Sequence, residues 1–271
     1  MNARDAVGAR AADAAGRPLA ARVAVVTGGA GGIGRAIAAA LAEDGATVVV
    51  ADRDVAGAQA VAAGLAGARA HAIDVADPAA CRAMIEAVIE RHRRLDILVN
   101  GAGFQHVAPV VDFPIERWDA ILRAMLTAPF VLTQAALPWM YEQGWGRIVN
   151  IGSIHSVVAS PNKVASVAAK HGLLGLTRAV AVEAGPHGVT CNAVCPAYVR
   201  TPLVEAQIAD QAKASGIPER DVMDRIMLAG ASVPRLLEAG EVAAYVRFLC
   251  SDAAAGITGS AQMIDGGWTA R

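Results

Sequence analysis

The segment that most restricts how this chain can fold is Thr27-Gly28-Gly29-Ala30-Gly31-Gly32-Ile33-Gly34, which joins a β-branched run to a helical pattern. Glycine takes a tight turn without steric cost, lets backbone approach a ligand, and leaves room for a helix to pack closely on a strand. A pyrophosphate placed there meets free amides at the positive end of the following helix. Thr27, Gly28, Gly32, Ile33 and Gly34 are therefore the first candidate cofactor contacts. Asp52 ends the next β-rich run, where a carboxylate can accept the hydroxyls of an adenosine ribose. It would repel a 2′-phosphate, so NAD is expected over NADP, with Arg53 beside it softening the exclusion.

Two periods alternate after this turn. Short β-rich runs occupy 22–27, 47–51, 69–74, 96–100, 147–151, 189–194 and 261–264, and helical patterns occupy 32–44, 55–65, 78–91, 115–141, 161–183 and 241–249. Runs apolar on both faces and separated by helices imply a parallel sheet covered on both sides. Right-handed crossovers then give an α/β fold, a Rossmann-type doubly wound parallel sheet of about seven strands. Residues 21–271 are expected to form one domain, preceded by a loose Ala- and Arg-rich extension, 1–20. The stretch 201–234 follows a strand end with no strand after it, which marks a candidate substrate lid. Asp74, Val75, Asn100, Ala102 and Gly103 close two further runs on the edge where parallel sheets bind ligands, and join the cofactor candidates.

Composition narrows the function classes. The 24 basic and 25 acidic residues leave a net charge of −1, so neither nucleic acid nor an anionic membrane is an expected partner. The four cysteines are too scattered for a disulfide framework, and no His/Cys cluster has metal-ligand spacing, so no metal is expected. Charged residues interrupt the first twenty positions and leave no apolar leader core, which points to a cytoplasmic protein. Lysine is nearly absent: Lys163, Lys170 and Lys213 stand against 21 arginines. A lysine retained in so arginine-biased a chain can mark a place that needs an ammonium.

The Thr27-to-Gly34 turn, Asn100, Ser153 after the fifth run and Lys170 on the next helix together resemble the short-chain dehydrogenase/reductase family. The likeness runs from Arg22 to the C-terminus and implies a seven-stranded sheet, a nicotinamide cofactor and a homotetramer. It implies that Ser153 holds the substrate oxygen, that Lys170 lowers the pKa of a proton donor four residues before it, and that Pro196, Val199 and Thr201 join Lys170 around the cofactor. The donor position, a tyrosine in the family, is Ser166 here. Met125 falls where many members place a relay asparagine, and Gly101, Ser156 and Ala197 are smaller departures.

Within the family, Ser153 to Lys163, Gln105-His106, the segment 198–204 with Gln207, and the ending Asp265-Gly266-Gly267-Trp268-Thr269 resemble the 3-hydroxybutyrate dehydrogenase branch. That likeness implies that Gln105, His155, Lys163 and Gln207 hold the carboxylate of a 3-hydroxy or 3-oxo acid, with Tyr198 and Trp268 walling the pocket. Lys163 and Lys170, seven apart, would share a helix face. The expected activity is NAD-dependent interconversion of D-3-hydroxybutyrate and acetoacetate, severely reduced because Ser166 is a poor proton donor. His155 is a candidate for residual proton transfer with a pKa near 6–7. A non-catalytic protein that binds NAD and a hydroxy acid, and a reductase of another carbonyl such as a 3-oxoacyl thioester, remain alternatives.

Overall fold

The β-branched runs at the centre of the sheet form strands that are covered on both faces. In the computed structural model, which describes residues 16–270, β1 (Val23–Thr27), β4 (Ile97–Asn100), β5 (Gly146–Ile151) and β6 (Val189–Pro196) are buried throughout. With β2 (Thr47–Asp52), β3 (Arg69–Ala72) and β7 (Ala261–Ile264) they make one all-parallel sheet in the order β3-β2-β1-β4-β5-β6-β7. The order reverses at β1, and the crevice above β1 and β4 is where such sheets take ligands.

Helices α1 (Gly32–Glu43), α2 (Val55–Ala63) and α10 (Ala239–Leu249) cover one face through Ile37, Leu41, Ala58 and Val246. The other face carries α3 (Pro78–His92), α5 (Ala128–Gln143) and α6 (Val164–Ala184), with Met84, Ile85, Leu132 and Val180 in its core. The helix expected over 115–141 is α4 (Ile115–Leu122) and α5 joined by a π-helical turn, Arg123–Thr127. Its length and apolar composition would suit a membrane span, yet it lies on the sheet with Val131, Leu132, Ala136 and Met140 buried. It is a core helix.

Helix α6 starts at Val164 rather than 161. Asn162 takes a left-handed φ of +65° and Lys163 an extended φ of −130°, which turn the chain before the first helical residue. Asparagine tolerates that region better than most residues. Lys163 therefore sits at the cap of α6 and not on its face. The stretch 201–234 contains α7 (Pro202–Glu205), α8 (Gln207–Ser215), α9 (Glu219–Val222) and a π-helical turn, Met223–Met227. These pack on Tyr198 and Ile154 through Ala212, Val222 and Met227. Of the expected extension over 1–20, residues 1–15 lie outside the described part. Leu19 is buried in the core, and its N–H donates to the Asp44 carbonyl at 2.9 Å.

Candidate active site

The glycine turn makes a cradle because two Cβ atoms would not fit in it. A Cβ on Gly34 would lie 2.1 Å from the Gly28 carbonyl oxygen, and one on Gly28, whose φ is +70°, would lie 2.9 Å from Ala102 Cα. Thr27 holds the neighbouring loop: its Oγ1 accepts from the Gly101 and Ala102 amides at 3.1 and 3.3 Å and donates to the Val99 carbonyl at 3.3 Å. The N-cap of α1 is Gly31, with no side chain to satisfy the first-turn amides. Asp52 Oδ2 accepts from the Ala30 amide at 3.1 Å, and Oδ1 accepts from the Asp54 amide at 3.0 Å. A cleft of about 330 Å³ brings Gly28, Asp52 and Arg53 together with Asp74, Val75, Ala102 and Gly103. Bare backbone, uncapped amides and a carboxylate at the end of β2 fit the two ends of an adenine dinucleotide. Gly32, with φ +52°, approaches Thr201, whose Cγ2 lies 3.1 Å from where a Cβ would stand.

Asn100 lines neither cleft. Its Nδ2 donates to Asn150 Oδ1 at 2.8 Å, Asn150 donates to Thr177 Oγ1 at 2.9 Å, and Thr177 donates to the Leu173 carbonyl at 2.7 Å. This buried chain ties β4, β5 and α6 together, so Asn100 positions strands and does not face the cofactor cleft. Asn150 and Thr177 escaped the sequence reading. The signal for Asn150 was an amide inside an otherwise apolar run, which burial requires to be paired.

A second cleft of about 170 Å³ opens beyond the first, above the carboxyl ends of β5 and β6. Ile33, Gly103, Pro196, Val199 and Thr201 border it, and Ser153, Ser166 and Lys170 lie within it. Ser153 caps a short 3₁₀ turn, its Oγ accepting from the His155 amide at 3.2 Å. Lys170 Nζ donates to the Ile151 carbonyl at 2.5 Å, and burial pushes its pKa down to about 8. Ser166, one turn before Lys170 on α6, is buried, and its hydroxyl forms no hydrogen bond among the described residues. Met125, from the π-helical turn, contributes a thioether to the same wall.

The far end of this cleft holds a cation. Lys163 is 2% exposed and has no carboxylate partner among the described residues; its Nζ donates to Tyr198 OH at 3.0 Å. Burial pushes Lys163 down to about 8 and Tyr198 up to about 12. Gln105, His155 and Gln207 line the same cleft. Gln207 Nε2 donates to the Leu203 carbonyl at 2.8 Å, and Gln105 Oε1 accepts from the His106 amide at 3.0 Å. His155 is pushed down to about 3, first by burial and then by the Lys163 charge, and its Nε2 lies 2.9 Å from Ser160 Oγ. Such a histidine is neutral at pH 7 and offers a hydrogen bond, which corrects the expectation of a proton-transfer group near pH 6–7. Trp268 packs under Gly230, where a Cβ would lie 2.5 Å from its ring, and against the cluster that contains Ile154 and Tyr198; its Nε1 is buried without a partner among the described residues.

A family profile described as enoyl-(acyl carrier protein) reductase matches residues 28–269. The D-beta-hydroxybutyrate dehydrogenase of Rhizobium meliloti (strain 1021) is 44% identical over 92% of this chain and 99% of its own. The chain belongs to the short-chain dehydrogenase/reductase family. Similar family members include the D-beta-hydroxybutyrate dehydrogenase of Cupriavidus necator, 42% identical over 92% of this chain and 98% of that one. The D-threitol dehydrogenase of Mycolicibacterium smegmatis is 40% identical over 92% and 93%. A crystal structure described as that of a short-chain alcohol dehydrogenase from Sinorhizobium meliloti 1021 superposes with a TM-score of 0.83, at 40% identity, over 93% of this chain and 98% of that chain. Members of the family use NAD or NADP, and the relatives' names point to small hydroxy or oxo compounds as substrates.

Proposed function

We propose that this chain is an NAD-dependent short-chain dehydrogenase for D-3-hydroxybutyrate and acetoacetate, slowed severely by the serine at position 166. The observation that carries the reading is Lys163: a buried ammonium without a carboxylate partner, in a small cleft shared with Gln105, His155 and Gln207. A desolvated cation with neutral donors around it suits a short carboxylate ligand. The same cleft holds Ser153, Ser166 and Lys170, so an acid anchored on Lys163 extends its 3-carbon oxygen toward the hydroxyls. A 3-oxoacyl thioester carries no charge that would satisfy Lys163, which argues against the reductase alternative.

Each residue then has a task. Asp52 accepts the adenosine ribose hydroxyls and disfavours a 2′-phosphate, which selects NAD; bound NAD supplies the hydride acceptor. Lys163 holds the carboxylate, assisted by the Tyr198 hydroxyl and the free amide of Gln105. Ser153 has a hydroxyl hydrogen with no acceptor among the described residues, and donates it to the substrate oxygen. Lys170 holds a ribose hydroxyl and the local positive charge. Ser166 stands where the family has its proton-transfer tyrosine, and an alkyl hydroxyl is a far weaker acid with a shorter reach. General acid–base catalysis contributes about 10²–10⁴ in rate, equivalent to about 3–5 kcal/mol.

With Ser166 and Met125 both off the family pattern, a protein that binds NAD and a hydroxy acid without turnover is the second reading. The stretch 201–234, bordering the cleft through Leu203, Val204 and Gln207, is assigned as the lid, and the exposed Phe130, Trp139 and Phe248 as contacts of a cytoplasmic homotetramer. Calorimetric titration tests the binding claims. NAD should bind at least tenfold more tightly than NADP, and acetoacetate should bind the NADH complex. Equal affinities would remove the role of Asp52, and no heat with acetoacetate would remove the carboxylate anchor.

A further inference from the structure

Ser166 and Lys170 form a pair outside the family pattern, which has a tyrosine at the position of Ser166. They lie four apart on α6, so their side chains share one face of the helix and are neighbours. Both line the same cleft as Ser153. The Ser166 hydroxyl forms no hydrogen bond among the described residues, although the residue is only 4% exposed. A serine hydroxyl that lines a cleft without a hydrogen-bond partner, one helical turn from an amine, is the arrangement that activates serine as a nucleophile in serine–lysine hydrolases. The lowered pKa of Lys170, about 8, makes part of it a neutral base near neutral pH.

We propose that Ser166 and Lys170 form a nucleophile–base pair that hydrolyses half-esters of a short dicarboxylic acid. The proposal rests on the carboxylate anchor assigned above to Lys163. In acetoacetate one methylene separates the carboxylate from the ketone; replacing the terminal methyl group by an alkoxy group gives a malonate half-ester. Its carboxylate occupies the Lys163 end, and its ester carbonyl takes the place of the ketone, between Ser153 and Ser166. Lys170 Nζ turns from the Ile151 carbonyl to accept the Ser166 proton as Oγ bonds to the carbonyl carbon. The carbonyl oxygen takes the displaced electron pair and is held by the Ser153 hydroxyl. Collapse of that adduct breaks the carbon–alkoxide bond, and the Lys170 ammonium protonates the departing alcohol. Water then attacks the malonyl-Ser166 ester, gives its proton to Lys170, and releases malonate with the serine restored.

The test uses the full chain with monoethyl malonate as probe, without cofactor. Ethanol release is measured by chromatography, and the acyl-enzyme by mass spectrometry of the peptide containing Ser166. The expected results are ethanol release at least tenfold above that of S166A, one malonyl group on Ser166, and a rate at saturating half-ester that rises from pH 7 to 8 while the KM rises above pH 8 as Lys163 loses its proton. Ethyl butyrate, which lacks the carboxylate, should react at least tenfold more slowly. Equal ethanol release by the chain and S166A would overturn the proposal, as would an adduct on any other residue. S166A removes one oxygen and keeps the backbone, and binding of acetoacetate to its NADH complex reports that its cleft is intact. Acetoacetate binding to the unaltered chain with no ester turnover sinks the serine–lysine pair and leaves the dehydrogenase reading standing. No acetoacetate binding to the unaltered chain, together with ethyl butyrate reacting as fast as monoethyl malonate, removes the carboxylate anchor and overturns both readings.

Discussion

A buried lysine is expensive unless something answers its charge, and Lys163 has only a phenol, at 3.0 Å, to answer it. The folded protein therefore disfavours the ammonium, which is why its pKa lies near 8. A carboxylate ligand binds the ammonium form, so acetoacetate affinity for the NADH complex should be high at pH 7 and fall through pH 8 to 10 as Lys163 loses its proton. Affinity that stays flat over that range would exclude Lys163 as the anchor. Lys163→Met removes the charge at similar volume. It should weaken acetoacetate binding by ten- to a hundredfold, since a hydrogen bond to a charged group is worth about 1.5–3 kcal/mol, while the melting temperature of the free protein holds or rises. A melting temperature that falls would show Lys163 to be structural. This residue was legible in the sequence from the scarcity of lysine and the family pattern around it. Asn100 was legible only as a strand end, because a pattern of residue types does not say which way an amide side chain turns. The buried partners Asn150 and Thr177 decide that, and they come from distant parts of the chain.

At the scale of elements, the seven strands and most helices follow from periodicity because turn residues flank the strands and the central ones are covered on both faces, while the edge strands β3 and β7 are only partly buried. What periodicity missed are local breaks in helix geometry. The π-helical turn Arg123–Thr127 has no residue that interrupts an apolar pattern, yet it sets Met125 into the cleft wall. The late start of α6 depends on one left-handed asparagine, and it moves Lys163 off the helix face. The glycine turn was legible because sterics leave it little choice. Gly34→Ala places a methyl group 2.1 Å from the Gly28 carbonyl oxygen, so the turn or α1 must shift. Overpacking of this kind costs about 1–3 kcal/mol, and the displaced amides should cost NAD at least tenfold in affinity. Gly31, whose Cβ meets nothing within 4 Å, is the comparison: Gly31→Ala should leave stability within about 0.5 kcal/mol of the parent. Equal losses of NAD affinity and melting temperature in the two variants would refute the cradle.

Across the whole molecule, one sheet edge carries the entire arrangement. The ends of β1, β2 and β4 hold the dinucleotide cleft; those of β5 and β6, with α6 and the segment after β6, hold the smaller cleft. The fold was readable in advance, and the proposed site follows from it because a parallel sheet has one ligand-binding edge. For Trp268 a chain end offers no periodicity from which to place the ring, which packs under Gly230 and against the cluster that contains Tyr198. In the proposed function, a complete dehydrogenase cleft lacks only an adequate proton donor at position 166. The direct measurement is NADH formation from D-3-hydroxybutyrate by the chain and by Ser166→Tyr, side by side under saturating NAD. The expected result is a rate about 10²–10⁴-fold higher for Ser166→Tyr, with little change in NAD affinity. Equal rates for the two proteins, whether both fast or both absent, would contradict it.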